Sequence, residues 1–172
     1  MRYGRIAALA AAVGVATAAL AMSPMSTLSG HYYRLPPVRV KQRQVWRLVW
    51  PRVNDVADIA AIDALHAFVR LDIKLGGQSC HFAGIARIER EELVYRDVRS
   101  GGDQPTACTL TFTREGGNLA WTDNGHCSAV CSSGLTGTLP ASHRGAAPSI
   151  ARLSRTADYS SASAAWQAAG GR

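Results

Sequence analysis

The clearest pattern in the chain is a strict alternation of apolar and polar residues that follows Phe68. The apolar positions Val69, Leu71, Ile73 and Leu75 alternate with the charged positions Arg70, Asp72 and Lys74. A period of two is typical of a β-strand with one buried face and one solvated face. We therefore predict a strand over 68–75, ended by Gly76 and Gly77.

Four more short strands are predicted downstream, over 80–89, 93–98, 108–113 and 119–122. Gly-rich turn signals stand at 100–103 and 115–118. Because no helix-length crossover separates these segments, a parallel sheet is disfavoured. The expected fold is mainly β: a small antiparallel meander of about five strands, curled into a barrel or sandwich, with short flanking helices.

Both flanks of the predicted sheet carry weaker helical patterns. Asn54 or Asp55 is a candidate N-cap for a leading helix that runs through His66. After a linker at 140–148, a short C-terminal helix is expected, with a frayed Ala/Ser tail as the alternative. Its apolar stripe would consist of Tyr159, Ala162, Trp166 and Ala169, with a glycine stop at Gly170 and Gly171.

Residues 1–21 are predicted to be a cleaved signal peptide. Arg2 and Arg5 form a basic start, an uncharged run follows over 6–22, and Ala19–Ala21 supplies a small-x-small cleavage site. A retained anchor is the alternative, although the run is about half alanine and weakly apolar. Export would place the chain in the periplasm or outside the cell, where cysteine pairs persist as disulfides.

Length and charge narrow the choice of function. A chain of 172 residues suits one modest domain and leaves no room for a two-domain cofactor enzyme. Without Arg2 and Arg5 the net charge is +5, and residues 31–53 alone carry +6. We therefore divide the chain into the leader, a basic arm at 22–53, a β-domain at 54–139, and a linker with a short helix or tail at 140–172.

Four cysteines allow three disulfide connectivities. In a meander, the starts of the second and fourth strands lie two strand spacings apart, about 9.5 Å, which exceeds the Cα separation of about 7 Å that a disulfide tolerates. By contrast, the Gly116-Gly117 hairpin folds Cys108 back to within about two residues of Cys127, so Cys108 paired with Cys127 and Cys80 paired with Cys131 is favoured. The alternative pairs Cys80 with Cys108 and Cys127 with Cys131.

Metal binding and catalysis find less support in the sequence. The four thiols, with His81 and His126, could form a zinc site, but their spacing matches no usual zinc motif and export favours oxidation. Nucleophile-elbow, phosphate-loop and zinc-protease motifs are missing from the sequence. We predict no catalytic residue, metal or cofactor. A hydrolase that joins His126 and Asp123 to a serine is kept as a minor alternative.

The basic arm contains a distinctive segment at 39–50. On a helix, its arginines would share one side and its tryptophans would flank them, a composition that suits an anionic membrane surface or acidic polymer. A strand whose tryptophans pack on the barrel is the favoured alternative, and export makes nucleic acid a poor partner. The candidate anionic-surface residues are Arg39, Arg43, Trp46, Arg47 and Trp50.

A resemblance rests on the cysteine and glycine spacing within 80–84, 107–110 and 124–137. This order of features is similar to that of small bacterial envelope domains found beside lysozyme-inhibitor-type modules. The resemblance implies an exported, non-enzymatic β-domain that binds or inhibits a cell-wall hydrolase. The chain departs from lysozyme-inhibitor barrels because no tyrosine follows Ser133-Gly134 in the Ser-Gly-x-x-Tyr pattern. Its positive charge also opposes electrostatic steering toward a basic lysozyme.

The sequence therefore predicts an exported binding protein of the cell envelope whose partner is an envelope protein or a cell-wall hydrolase. A stapled sheet would present a rigid loop to that partner and lower the ordering cost of binding. The alternative is an adaptor that holds an anionic surface through 39–50. The predicted loop residues are Ser132, Ser133, Gly134 and Gly137.

Overall fold

The computed structural model describes residues 23–35, 38–42, 45–49, 55–75, 78–97, 107–131 and 135–171. For residues 38–42, 48, 75 and 78 the structure describes the backbone alone. The predicted signal peptide at 1–21 lies outside these ranges, as does the segment 132–134 of the predicted partner loop.

Strands dominate the described structure, which confirms the mainly β prediction. Three short helices accompany them: α1 (Pro24–Leu28), α2 (Ile150–Leu153) and α3 (Ala157–Ala168). The strands are β1 (Gly30–Tyr33), β2 (Val38–Gln42), β3 (Val45–Val49), β4 (Val56–Ala61), β5 (His66–Leu75), β6 (Gln78–Glu89), β7 (Glu92–Arg96), β8 (Thr109–Glu115), β9 (Asn118–Asp123), β10 (Gly137–Leu139) and β11 (Arg144–Gly145).

The five predicted strands correspond to β5 through β9, and all five are confirmed. Val69, Leu71 and Ile73 on β5 are buried, whereas Lys74 is exposed, as the alternation requires. The turn between β8 and β9 consists of two glycines with positive φ, 54° and 89°. Such backbone angles match the twist of a tight antiparallel hairpin and favour glycine at both central positions.

The main sheet is antiparallel and contains nine described strands in the order β10-β9-β8-β7-β6-β5-β4-β1-β11. Flat, such a sheet would separate its edges by about 38 Å, because neighbouring strands lie about 4.8 Å apart. Yet residues 140–143 alone join the end of β10 to the start of β11, and five residue steps reach at most about 18 Å. The sheet therefore curls into a half-barrel, and the segment predicted as a linker supplies one of its edge strands.

The predicted leading helix is wrong, because Val56–Ala61 is strand β4. Its apolar residues do not alternate, since both of its faces are covered. Ala57 and Ile59 lie in the core inside the curl, whereas Ala60 packs in a second cluster on the outer face. An apolar run of this kind cannot be distinguished from a helix by periodicity alone.

The predicted C-terminal helix is confirmed as α3, which packs on the outer face of β5 and β6. Tyr159 lies 5.3 Å from Phe68, measured between ring centroids, and Trp166 lies 5.3 Å from His66. Ala162 is buried between these two contacts. The sheet thus has an apolar core inside its curl and a smaller apolar cluster under α3.

Candidate functional site

Two disulfides clamp the interior of the half-barrel. Cys108 is bonded to Cys127 with a Cα separation of 4.6 Å, and Cys80 is bonded to Cys131 with a separation of 5.5 Å. This is the connectivity that the sequence favours. All four residues belong to the core cluster, so the cystines join the segment after β9 to the starts of β6 and β8.

The predicted partner loop begins directly after this clamp. Cys131 and Leu135, which flank 132–134, are both buried, and Asp123 accepts a hydrogen bond from the backbone N–H of Leu135. Gly137 lies in β10, where an added Cβ would stand 2.7 Å from Cζ2 of Trp121. Its packing against the indole ring accounts for that glycine. The two ends of the loop are thus fixed by the domain core.

Within the basic arm, β2 and β3 form a hairpin with a sheet of its own, whereas β1 of the same arm belongs to the main sheet. The helical interpretation of 39–50 is therefore wrong, and the strand alternative is confirmed. The expected packing of Trp46 on the barrel is not observed, since its side chain is 63% exposed. Val45 and Val49 are also exposed, at 55% and 43%. Arg43 and Trp50 lie outside the described residues.

The register of the hairpin places basic and aromatic positions opposite each other. Trp46 pairs with Lys41, and Leu48 pairs with Arg39. Because strand positions alternate between faces, these four positions share one face, whereas Arg47 belongs to the other face with Val45 and Val49. Arg39 and Arg47, expected on one helical side, are therefore on opposite faces. Each face still combines basic and apolar positions.

A row of charged side chains crosses the outer face of the main sheet, a feature that sequence reasoning missed. It runs from β1 through β4, β5 and β6 to α3, with hydrogen bonds or ion pairs between successive groups. The separations are 2.6 Å for His31–Asp58, 2.6 Å for Asp58–Arg70, 3.5 Å for Arg70–Asp72, 2.5 Å for Asp72–His81 and 3.1 Å for His81–Asp158.

The contacts of His81 connect α3 to the sheet. His81 uses Nδ1 toward Asp72 on β5 and Nε2 toward Asp158 on α3. The hydrogen bond to Asp72 raises the pKa of His81, and Asp158 adds to the effect against the opposing influence of partial burial. A protonated imidazole can donate to both carboxylates at once, so its charge favours the docked position of α3.

Strand alternation alone places Arg70 and Asp72 together on the solvated face of β5. It could not identify the other members of the row, because Asp58 lies in the segment predicted as a helix and Asp158 lies on a separate helix. The signal that was available in the sequence is the charge pattern of β5 itself. The register of β5 with β4 and β6 determines which other charged residues lie beside Arg70 and Asp72.

The residues of the minor hydrolase alternative have other partners. The Asp123 carboxylate accepts hydrogen bonds from the backbone N–H groups of Gly125 and Leu135. The side chain of His126 is exposed, and its backbone N–H donates to Asn124. Within the described ranges, groups of three or more His, Cys, Asp or Glu side chains suited to a metal ion are not found.

The fold and these surfaces define a class: a small antiparallel β half-barrel clamped by two disulfides. Of the helices in the described part of the chain, none has the length and apolarity needed to cross a bilayer. Comparison with protein families, with curated proteins and with solved structures finds no match.

Proposed function

We propose that the protein is an exported, non-enzymatic binding domain of the cell envelope that attaches to an anionic surface through its β2–β3 hairpin. The observation that supports this function best is the exposure of Val45, Trp46 and Val49 on a hairpin that is separate from the main sheet. Apolar side chains that stay exposed on both faces of one hairpin cost solubility, so they typically mark an interaction site.

The chemistry of the hairpin favours an anionic lipid surface. Tryptophan prefers the interface between water and the acyl region, because its ring is apolar and its N–H is polar. The segment 38–49 also contains four basic residues and no acidic residue. Each basic residue near an anionic membrane contributes about 1 kcal/mol. The resulting attachment is reversible and weakens as salt is added.

The remainder of the fold serves this function as a rigid support. Two disulfides are compatible with an oxidising, exported environment, and they constrain the half-barrel from which the hairpin extends. The hairpin follows β1 and precedes β4, which are neighbours in the main sheet. Both ends of the segment that contains it are therefore fixed in the sheet, which lowers the ordering cost of binding.

A vesicle-binding experiment tests the proposal. Purified disulfide-intact protein should sediment with phosphatidylglycerol-containing vesicles, remain in solution with pure phosphatidylcholine vesicles, and be released by salt. Trp46→Ser should reduce the bound fraction severalfold, because the substitution removes the largest exposed apolar side chain of the hairpin. Leu65→Ser is the matched control, since Leu65 is 47% exposed on the turn between β4 and β5. Equal binding by both variants would contradict the proposal.

A second candidate function is inhibition of a cell-wall hydrolase by the loop that follows Cys131. It is favoured by the anchoring of both loop ends, through the Cys80–Cys131 disulfide and through buried Leu135. A short loop held in this manner loses little conformational entropy when it enters a partner's cleft. Protection of the cell-wall substrate from lysozyme at micromolar protein would support this function, and full lysozyme activity would remove it.

A further inference from the structure

A groove of about 630 Å³ lies on the outer face of the main sheet, and neither proposed attachment surface includes it. Its floor is formed by β1, β4 and β5, and its wall by the chain between β11 and α3. The volume falls within the range of about 300 to 1,000 Å³ that is usual for small-molecule sites. The polar lining consists of His31, Asp58, Arg70, Ser149, Arg152 and Thr156.

Arg70 is held in a fixed orientation at the floor of the groove. Its Nη2 donates a hydrogen bond to the Asp58 carboxylate over 2.6 Å, and the Asp58 side chain is only 4% exposed. Asp58 also bonds His31, at 2.6 Å, so the acceptor is itself anchored. In the described part of the chain, Nη1 of Arg70 has no hydrogen-bond partner. The guanidinium group therefore keeps donors for a ligand.

Arg152 supplies a second cation from the wall. Its side chain is exposed, and within the described ranges it has neither an ion pair nor a hydrogen bond. The backbone N–H of Arg152 donates to the hydroxyl of Ser149, which caps α2 and fixes the start of this turn. Arg70 already faces two carboxylates, Asp58 at 2.6 Å and Asp72 at 3.5 Å, so the one positive charge of the groove lining that lacks a carboxylate partner among the described residues is that of Arg152.

Part of the wall is apolar, because Ala147, Pro148 and Leu153 also line the groove. Guanidinium groups bind carboxylates through paired N–H donors, and one excess positive charge matches a ligand with one negative charge. We propose that this groove binds a small organic monocarboxylate. The carboxylate lies between Arg70 and Arg152, and the apolar body of the ligand packs against Leu153.

The test is an NMR titration of the disulfide-intact protein with benzoylglycine, with its uncharged amide and with inorganic phosphate. Benzoylglycine should give saturable shifts at residues 145–156, whereas the amide should give none. Arg152→Gln should weaken binding about tenfold, since it removes a charge-assisted hydrogen bond. Arg155→Gln is the matched control, because Arg155 is exposed nearby and does not line the groove.

Three results would overturn the proposal. The first is no saturable shift with benzoylglycine, or equal affinity for its amide. The second is an equal effect of the two arginine substitutions. The third is tighter binding of phosphate than of benzoylglycine, because that order would indicate a site for a dianion.

Discussion

The main sheet and the β2–β3 hairpin are both antiparallel, but they differ in how far their tryptophan side chains are buried. Trp121 on β9 is 2% exposed and lies in the core, whereas Trp46 on β3 is 63% exposed. The sheet gains stability from this burial, because removal of apolar surface from water drives folding. An exposed tryptophan contributes little to folding, and this is the reason why we propose an external contact for Trp46.

The largest expected effect comes from exchanging the two tryptophans for alanine, one at a time. Trp121→Ala should lower the free energy of unfolding by about 3 to 5 kcal/mol, because it removes a buried ring and leaves a cavity. Trp46→Ala should change it by no more than about 0.5 kcal/mol. Urea unfolding followed by circular dichroism measures both. Similar losses from the two substitutions would mean that Trp46 is packed in solution.

Removal of either disulfide should lower the free energy of unfolding of the main sheet. The chain-entropy model predicts a loss of about 4 kcal/mol for the Cys80–Cys131 bridge, with a sequence separation of 51, and about 3 kcal/mol for Cys108–Cys127, with a separation of 19. Paired Cys→Ser variants, compared by urea unfolding, provide the measurement. A loss below about 1 kcal/mol for either pair would contradict the account of the clamp.

The smallest expected effect is a pH dependence of α3 docking. The pKa of His81 is raised above the ordinary value of 6.5 in the folded state. His81 therefore binds its proton more tightly in the folded protein than in the unfolded chain. This contribution to stability is fully present below pH 6.5 and is lost as the pH rises through the raised folded pKa. Because 52% of the His81 side chain is exposed, solvent screening keeps the effect small.

A histidine substitution measures this effect. Unfolding of wild-type protein should become easier as the pH rises through this window, and His81→Gln should remove that part of the slope. His126→Gln is the control, since the His126 side chain is exposed and forms none of the ion pairs of the charged row. An unchanged slope in His81→Gln would show that the contacts with Asp72 and Asp158 do not stabilise the helix.

The sequence predicted β8 and the second half of β5 well because buried and exposed positions alternate there, a pattern that the local sequence records. β7 and β9 are buried at consecutive positions, and the Gly-rich turn signals beside them located them instead. The flank at 56–61 failed for the opposite reason. Asp58 is 3% exposed on the outer face of β4, where His31 and Arg70 cover it. No local pattern indicates that a charged residue will be buried by partners from two other strands. The helix was therefore predicted in error because the contacts that bury Asp58 come from residues distant in sequence.

The candidate surfaces were predicted unevenly. Composition alone identified 39–50 as a basic segment rich in tryptophan, but the favoured packing of its tryptophans on the barrel is not observed for Trp46. The helical prediction for its arginines was wrong, because it assumed a repeat of 3.6 residues, whereas the paired strands impose a repeat of two residues. The groove beside Arg70 and Arg152 was not predicted at all. Its residues are distant in sequence and meet only when the chain after β11 returns across the sheet.

The proposed role of the hairpin is tested most directly by hydrogen exchange, with and without phosphatidylglycerol-containing vesicles. This measurement compares the two candidate surfaces in one sample. If the hairpin attaches the protein, amide exchange should slow within 38–49 and stay unchanged within 131–139. Slower exchange within 131–139 with an unchanged hairpin would contradict the proposal.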